Sequence, residues 1–443
     1  MSSKQVSAQA EGSSVFCEFV KPLDSHTAEV EAVRCYFCYD APCVRACPTQ
    51  INIPSFIKRI SQGNIRGAAT EILDANIMGG TCARVCPVEI LCQASCVRTK
   101  DDDNAVEIGL LQRFATEEFF KTGEQPFKRE PSVGKKVAVV GAGPAGLSCA
   151  HRLATLGYDV EIFESRAKSG GLNEYGLAPY KVTTESVQKE VDFILKVGGI
   201  KIHHGKSLGK DFTLDSLRKD FAAVFLGMGL SGVNALGVAG EELPGVFDAI
   251  KTIEKIRQGE KLVIGSDVVV VGGGNTAVDM AIQMKRLGAL SVTLAYRRGT
   301  EQMGATVHEQ ELALKSGVHI RTWAKPVKIC AEAGKVCCME FEGTELNSAG
   351  KLVGTGKSFT LKANQIYKAI GQTLLPSTWG DPKTLPEVAN GKIKVNAEFE
   401  TSLAGVYAGG DCIAEGEDLT VTSVQQGKLA ALAIHKKGDP RRG

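Results

Sequence analysis

The chain has 443 residues, enough for two to four domains at roughly 100–200 residues each and for a sizeable buried core. Hydrophobic residues make up 43% and charged residues 23%, as in ordinary globular proteins, and no apolar run reaches the ~18 residues of a membrane helix. The 52 basic and 50 acidic residues leave a net charge of +2, which gives no reason to expect nucleic acid or an anionic membrane as partner.

The start, MSSKQVSAQAEGSS, is polar and lacks the apolar core of a secretory signal, so a cytoplasmic protein is expected. Two counts stand out. Gly 49 is about 11% of the chain, against roughly 7% on average. It points to tight turns and close backbone approaches to ligands. Cys 14, without an export signal, favours metal or redox chemistry over disulfides.

Nine of the 14 cysteines fall in the first hundred residues, which predicts a distinct cofactor module over residues 1–134. One group runs Cys35-Tyr-Phe-Cys38-Tyr-Asp-Ala-Pro-Cys43-Val-Arg-Ala-Cys47-Pro48. The other runs Cys82-Ala-Arg-Val-Cys86-Pro87, then Cys92 and Cys96. Short spacings ending in Cys-Pro suit [4Fe-4S] clusters, and the eight cysteines between 35 and 96 match the needs of two. Zinc is the rival, but its paired Cys-x-x-Cys knuckles are represented only by Cys35/Cys38. Cys17 lies outside the pattern and reads as an ordinary thiol. Between the groups, Ile57, Ile60, Ala68, Ala69 and Ile72 recur at helical spacing, predicting two short helices broken near Gly63. A third helix is predicted over residues 107–120.

A Pro/Gly/Lys linker at residues 124–136 leads to VAVVGAGPAGLSCAHRLATLGYDVEIFES. Residues 137–140 read as a buried strand, Gly141-Ala142-Gly143-Pro144-Ala145-Gly146 as a turn opening a helix, and residues 159–163 as a second strand ending at Glu164. Gly141 permits the turn, Gly143 lets backbone approach a pyrophosphate, and Gly146 allows helix and strand to pack. Glu164 is placed to accept from ribose hydroxyls, which suits FAD.

The pattern recurs at residues 268–271, with turn Gly272-Gly273-Gly274-Asn275-Thr276-Ala277 and a second strand over residues 291–296. Arg297 and Arg298 follow where the first copy has an acid. Guanidinium groups bind a 2′-phosphate, so NADPH is expected here, unless the two arginines are merely solvated. Further on, Gly405-Val-Tyr-Ala-Gly409-Gly410-Asp411 puts an acid after a short strand, where it could accept from the flavin ribitol. A helix over residues 420–435 would present its positive end to the flavin. The expected fold is α/β. A helical iron–sulfur domain is followed by two Rossmann-like domains, with the NAD(P) domain (251–370) inserted between two parts of the FAD domain (135–250 and 371–443). Val224-Phe-Leu-Gly-Met-Gly229 and Tyr367-Lys-Ala-Ile-Gly371 read as the crossing strands.

Together these motifs resemble the two-dinucleotide flavin oxidoreductases that carry a cluster module. Cys35–Pro48 with its DAPC, CARVCP at 82–87, LCQASC ending at Cys96 and EIGLLQRF at 107–114 are similar to the flavin subunits of bacterial dihydropyrimidine dehydrogenase. Glutamate synthase small subunits are similar too, but typically space the second group more tightly than Cys86-x5-Cys92.

The resemblance implies one cluster on Cys35, Cys38, Cys43 and Cys96. It implies a second on Cys47, Cys86 and Cys92 with Gln112 as fourth ligand, where counting alone would choose Cys82. It implies flavin contacts at Gly141–Ala145, Glu164, Gly171, Leu172, Gly410, Asp411 and Thr420, and at Lys181, where mammalian relatives have arginine. It implies NADPH contacts at Gly274, Asn275, Thr276, Ala277, Arg297 and Arg298, with Gly371 nearby. A further arginine of mammalian relatives falls near Gly304, so NADH use is also expected.

The expected reaction passes hydride from NADPH to FAD and single electrons through the clusters, with no side chain acting as acid or base. A disulfide reductase would need a Cys-x-x-Cys near the flavin, and none follows residue 38. The sequence stops at Gly443, after the flavin segment, with no second catalytic domain. The expected partner is therefore a separate FMN and iron–sulfur subunit in a heterotetramer that reduces uracil or thymine. The alternatives are electron input to glutamate synthase or another iron–sulfur acceptor, and a non-catalytic scaffold.

Overall fold

The computed structural model describes residues 16–101, 104–375, 379–380 and 384–438. The polar start, residues 1–14, lies outside the described residues. The chain divides into two compact bodies.

The first body comprises Glu18–Glu174, Lys181–Ser231 and Thr373–Gly443. Its N-terminal part is helical, as the apolar spacing predicts. Helices Ile53–Ile60 and Ile65–Ala75 are joined across Gly63, whose φ of +70° a side chain would disfavour. Asn52 and Asn64 cap them, accepting the Ser55 and Gly67 N–H groups at 3.3 and 2.9 Å. Helix Ile108–Thr122 ends at Gly123 in the left-handed region. Two short helices, Pro42–Ala46 and Gly79–Val85, hold cysteines that the sequence placed in no element.

The sheet of this body is five-stranded and parallel. Its order is Val406–Ala408, Ala223–Leu226, Lys136–Val140, Asp159–Glu164, Ile200–His204. Chain order reverses on either side of Lys136–Val140. The crevice at that strand's carboxyl end is where such sheets bind ligands, and Gly141 begins there. Leu73, Ile77, Met78 and Phe119 from the helical part share one core with Val137, Val139, Leu147 and Ile194. Each such side chain contributes about 1.5–3 kcal/mol on burial, so cysteine helices and sheet are welded into one body.

The second body comprises Tyr175–Tyr180 and Gly232–Gln372, with Phe16 and Cys17. Its parallel sheet has the order Val246–Asp248, Gln365–Lys368, Asp267–Val271, Ser291–Ala295, His319–Arg321. The Gly272 turn sits at the carboxyl end of Asp267–Val271, the same relation as in the first body. A three-stranded antiparallel sheet, Ala324–Glu332, Lys335–Leu346 and Leu352–Lys362, is added to it.

Neither expected crossing strand makes the crossing. Ala223–Leu226 pairs with Lys136–Val140 inside the first sheet, and Gln365–Lys368 pairs with Asp267–Val271 inside the second. The chain passes between bodies just after them, at Ser231/Gly232 and Gln372/Thr373, and also through Tyr175–Tyr180. Among the described residues, no helix is long and apolar enough to cross a membrane.

Candidate dinucleotide and cluster sites

The turn of the first body is closed by backbone alone. Gly141 N–H donates to Phe163 O at 2.9 Å, and Gly227 N–H to Val140 O at 2.8 Å. A Cβ on Gly141 would lie 2.5 Å from Gly227 O, and one on Gly146 would lie 1.9 Å from Gly141 O. These two glycines are required by the protein itself. Gly143 differs: a Cβ there would meet nothing closer than 3.7 Å. The protein leaves that space clear at the N-terminus of helix Pro144–Thr155, where free N–H groups attract a phosphate.

Glu164 is buried at the end of its strand. One oxygen accepts the Ala142 N–H at 2.7 Å, and the other accepts the Arg166 N–H at 2.8 Å and the Ser165 hydroxyl at 3.2 Å. A carboxylate offers about four acceptor positions, so the oriented group retains capacity for a ribose hydroxyl. Gly171, at φ +56°, lies against Gly143, where its Cβ would come within 2.7 Å of the Gly143 Cα. Leu172 begins a short helix beside it, and Lys181 lies half-buried in the turn before helix Thr184–Leu195.

The C-terminal segment of this body brings Gly410, Asp411 and Thr420 to the same turn. A Cβ on Gly410 would lie 3.0 Å from Ala145 Cβ, and Gly427 packs helix Thr420–Gly438 onto Ala145. Burial, and then the Asp418 carboxylate, hold the Asp411 carboxyl above the usual range, while the Ser423 hydroxyl donates to it at 3.1 Å. Thr420 donates to Asn173 Oδ1 at 3.1 Å. Sequence reasoning missed Asn173, Gly227 and Gln426, whose Oε1 accepts the Gly410 N–H at 2.7 Å. Only Gly227 had a signal, as a glycine just after a buried strand.

The second body repeats the construction. Gly272 N–H donates to Ala295 O at 3.1 Å, and Ala369 N–H to Val271 O at 2.8 Å. A Cβ on Gly273 would strike the Tyr296 ring at 2.5 Å, while Gly274 faces open space. Helix Asn275–Arg286 starts there, with Thr276 in its first turn and Ala277 buried. Asn275 Oδ1 is buried with no hydrogen-bond partner among the described residues, a polar atom left for a ligand. Arg297 and Arg298 are exposed beyond strand Ser291–Ala295. A Cβ at Gly304 would lie 3.8 Å from the Gly274 Cα, so a side chain there would enter the turn. Gly371, at φ +94°, lies against Asn234.

The cysteines gather in two sets within the first body. Cys35, Cys38, Cys43 and Cys96 line one apolar recess with Ile53, Ile57, Val106 and Ile108. The segment that carries Cys35, Cys38 and Cys43 bends through Phe37 and Ala41, both at positive φ, and the Phe37 N–H donates to Cys35 Sγ at 3.4 Å. Burial, then Cys35 and Cys96, push the Cys43 thiol up to about 12. Cys47, Cys82, Cys86 and Cys92 interact as the second set. Burial and then Cys47 push Cys92 up to about 12, and Cys82 hydrogen-bonds Cys86. Bare thiolates so crowded would be unfavourable. Bound iron reverses that, because its positive charge deprotonates a ligating thiol. Among the described residues the thiols do not close on a single metal ion; as soft donors gathered in two sets they have the chemistry that iron–sulfur clusters take.

Gln112 is buried and donates its amide to Gly79 O at 2.7 Å. That bond fixes the side-chain amide against helix Gly79–Val85. Cys82 stays beside Cys86, so the structure keeps both candidates for the eighth position.

Two glycine turns, one acid-ended and one arginine-ended, with thiol sets built onto the body of the first, define a dinucleotide-dependent oxidoreductase with iron–sulfur centres. The chain belongs to the pyridine nucleotide-disulphide oxidoreductase family, whose model matches residues 135–427, and residues 13–124 match the dihydropyrimidine dehydrogenase domain II, 4Fe-4S cluster family. Its cofactors are accordingly FAD, 4Fe-4S iron–sulfur and NAD(P)H.

The NAD-dependent dihydropyrimidine dehydrogenase subunit PreT of Escherichia coli (strain K12) is 34% identical over 419 residues, 94% of this chain and 96% of that protein. The glutamate synthase [NADPH] small chain of the same strain is 31% identical over 95% of this chain and 93% of that one. Among solved structures, Mycobacterium tuberculosis FprA in complex with NADPH superposes with a TM-score of 0.58 at 19% identity. It covers 69% of this chain and 84% of that one, and shows the shared fold.

Proposed function

We propose that the chain is the electron-input subunit of an NAD(P)H-dependent dihydropyrimidine dehydrogenase. It would take electrons from NADPH, or NADH, and deliver them to a separate FMN and iron–sulfur subunit that reduces uracil or thymine to the 5,6-dihydro form. The observation that carries this reading is the pair of cysteine sets built into the flavin-turn body, with the Cys86-x5-Cys92 spacing of the pyrimidine enzymes. Similarity to PreT along 94% of the chain supports it.

When bound, FAD supplies hydride acceptance and the clusters supply single-electron transfer. The chain's own residues bind and orient. The amides opening helix Pro144–Thr155, with Gly143 bare, hold the flavin pyrophosphate. Glu164 accepts from the ribose, and Asp411 from the ribitol. Gly171, Leu172, Lys181 and Thr420 would supply the remaining flavin contacts. Gly272–Ala277 and Asn275 hold the nicotinamide dinucleotide, and Arg297 and Arg298 pair a 2′-phosphate. Cys35, Cys38, Cys43 and Cys96 take one cluster. Cys47, Cys86, Cys92 and Gln112 take the other.

The glutamate synthase small chain is the second reading, favoured by its 31% identity. The test is steady-state turnover. The purified chain should reduce ferricyanide with NADPH or NADH and fail on uracil. Uracil turnover should appear on adding an FMN- and cluster-containing subunit. Uracil reduction by this chain alone refutes the subunit reading. Glutamate formation with a glutaminase-bearing subunit, and no uracil reduction with the other, favours the second.

A further inference from the structure

Six of the 14 cysteines have no place in the cluster sets or beside Gln112. Cys149 and Cys412 are buried in the first body, and Cys17 is exposed. The remaining three, Cys330, Cys337 and Cys338, are half-buried and meet at one place in the second body.

The hairpin between Ala324–Glu332 and Lys335–Leu346 brings them together. It turns through Ala333 and Gly334, at φ +48° and +75°. A two-residue turn of that hand fixes the register. Glu332 pairs with Lys335 and Ala331 with Val336, but Cys330 pairs with Cys338. Cys337 is therefore the extra residue of a β-bulge. In a regular strand Cys337 and Cys338 would point to opposite faces. The bulge re-aims them, and their Sγ atoms lie 3.9 Å apart. Cys338 also faces Cys330 across the ladder and hydrogen-bonds it. A plain hairpin of the same sequence would have separated one of these thiols from the others.

We propose that Cys330, Cys337 and Cys338 form an oxidisable thiol site for hydroperoxides, in which Cys330 and Cys338 close a cross-strand disulfide. In the first step a thiolate sulfur attacks the peroxide. Its S–O bond forms, the O–O bond breaks, and the leaving oxygen departs as water or an alcohol after taking a proton. In the second step the facing thiol attacks the sulfenic sulfur. The S–S bond forms, the S–O bond breaks, and water leaves. Two thiols lose two electrons and two protons, and the peroxide takes up both. Burial, and hydrogen bonds to Cys330 and Cys337, push the Cys338 thiol up to about 12. Either sulfur of the facing Cys330–Cys338 pair can make the first attack, and the other then resolves it. Cys337, beside Cys338, is placed to exchange into the disulfide.

The test uses the full chain with its cofactors, treated briefly with hydrogen peroxide or cumene hydroperoxide. Free thiols are alkylated, and the chain is digested and mapped by mass spectrometry. Mapping separates this site from cysteines released by cluster damage. A peptide joining Cys330 to Cys338 should accumulate before Cys17 is oxidised and should disappear on adding dithiothreitol. Cys330→Ser and Cys338→Ser should each remove that peptide, while Cys17→Ser leaves it unchanged. If Cys17 oxidises first, or if Cys330 remains fully alkylated after oxidation, the proposal is overturned. The thermal midpoints of the serine variants, compared with untreated wild type, confirm that they are folded when tested.

Discussion

Glu190 ties a cysteine-bearing helix to the part of the first body that holds the flavin-type sheet. It sits in helix Thr184–Leu195, 1% exposed. Its carboxylate accepts the Gly80 N–H at 2.8 Å, the Thr81 N–H at 3.2 Å and the Thr81 hydroxyl at 2.5 Å. All three donors belong to helix Gly79–Val85, which carries Cys82 and ends at Cys86. Glu190→Ala would strand them in a dry interior. Each stranded donor costs about 1–3 kcal/mol, and neighbouring losses do not simply add. A total of about 3–5 kcal/mol is expected for the three neutral donors together. Glu190→Gln keeps the shape and one acceptor, and should cost about 1 kcal/mol.

Urea unfolding of the cofactor-loaded protein, with iron counted per chain, measures both. The alanine variant should unfold at distinctly lower urea and hold less iron. The pH dependence gives an independent check. Burial pushes the Glu190 carboxyl above its ordinary range, against the pull of its Thr81 and Gly80 hydrogen bonds. A raised folded value favours the protonated form. Its stabilisation is complete below the ordinary glutamate range and is lost as pH rises through the raised value. The stability gap between wild type and Glu190→Gln should therefore be widest at low pH and narrow as pH rises. An alanine variant no weaker than the glutamine variant, or a gap that widens with pH, would refute the reasoning.

Gly143→Ala should fold normally yet lose flavin, because its Cβ meets no protein atom closer than 3.7 Å. Gly146→Ala should fail to fold, since its Cβ would lie 1.9 Å from Gly141 O; flavin absorbance against circular dichroism separates the two. Arg297→Ala should raise KM for NADPH about tenfold, the equivalent of one charge-assisted bond of ~1.4 kcal/mol, and leave KM for NADH nearly unchanged. Equal use of both coenzymes by wild type would remove the basis for pairing Arg297 and Arg298 with a 2′-phosphate. Gln112→Ala should change the electron paramagnetic resonance signal of one reduced cluster while Cys82→Ala preserves both. The opposite result would give the eighth position to Cys82.

The legible parts of the sequence were those whose cause is local. Gly141 and Gly146 announce themselves because backbone closure leaves no room for a side chain, and Glu164 because a strand of fixed length carries it to the turn. The arginine-ended second copy was legible for the same reason. What stayed hidden depends on partners far along the chain. Thr81 and Glu190 are 109 residues apart, and nothing in either neighbourhood marks the other. The helical part reads as a separate module from its cysteines, yet Met78 and Phe119 bury themselves in the core of the flavin-type sheet. Apolar periodicity shows that a face is buried, but not against what.

The same limit explains Val224-Phe-Leu-Gly-Met-Gly229. A continuous apolar run reads equally as a crossing strand or as an interior one, and only pairing with Lys136–Val140 decides. At the clusters the limit has chemical force. Spacing counts cysteines and so favours Cys82, whereas Gln112 is a candidate through the family resemblance alone, and the structure adds that Gly79 O holds its amide. A ligand set that mixes sulfur from one segment with oxygen from a later helix cannot be counted from spacing. It has to be read from which donor atoms the fold brings together.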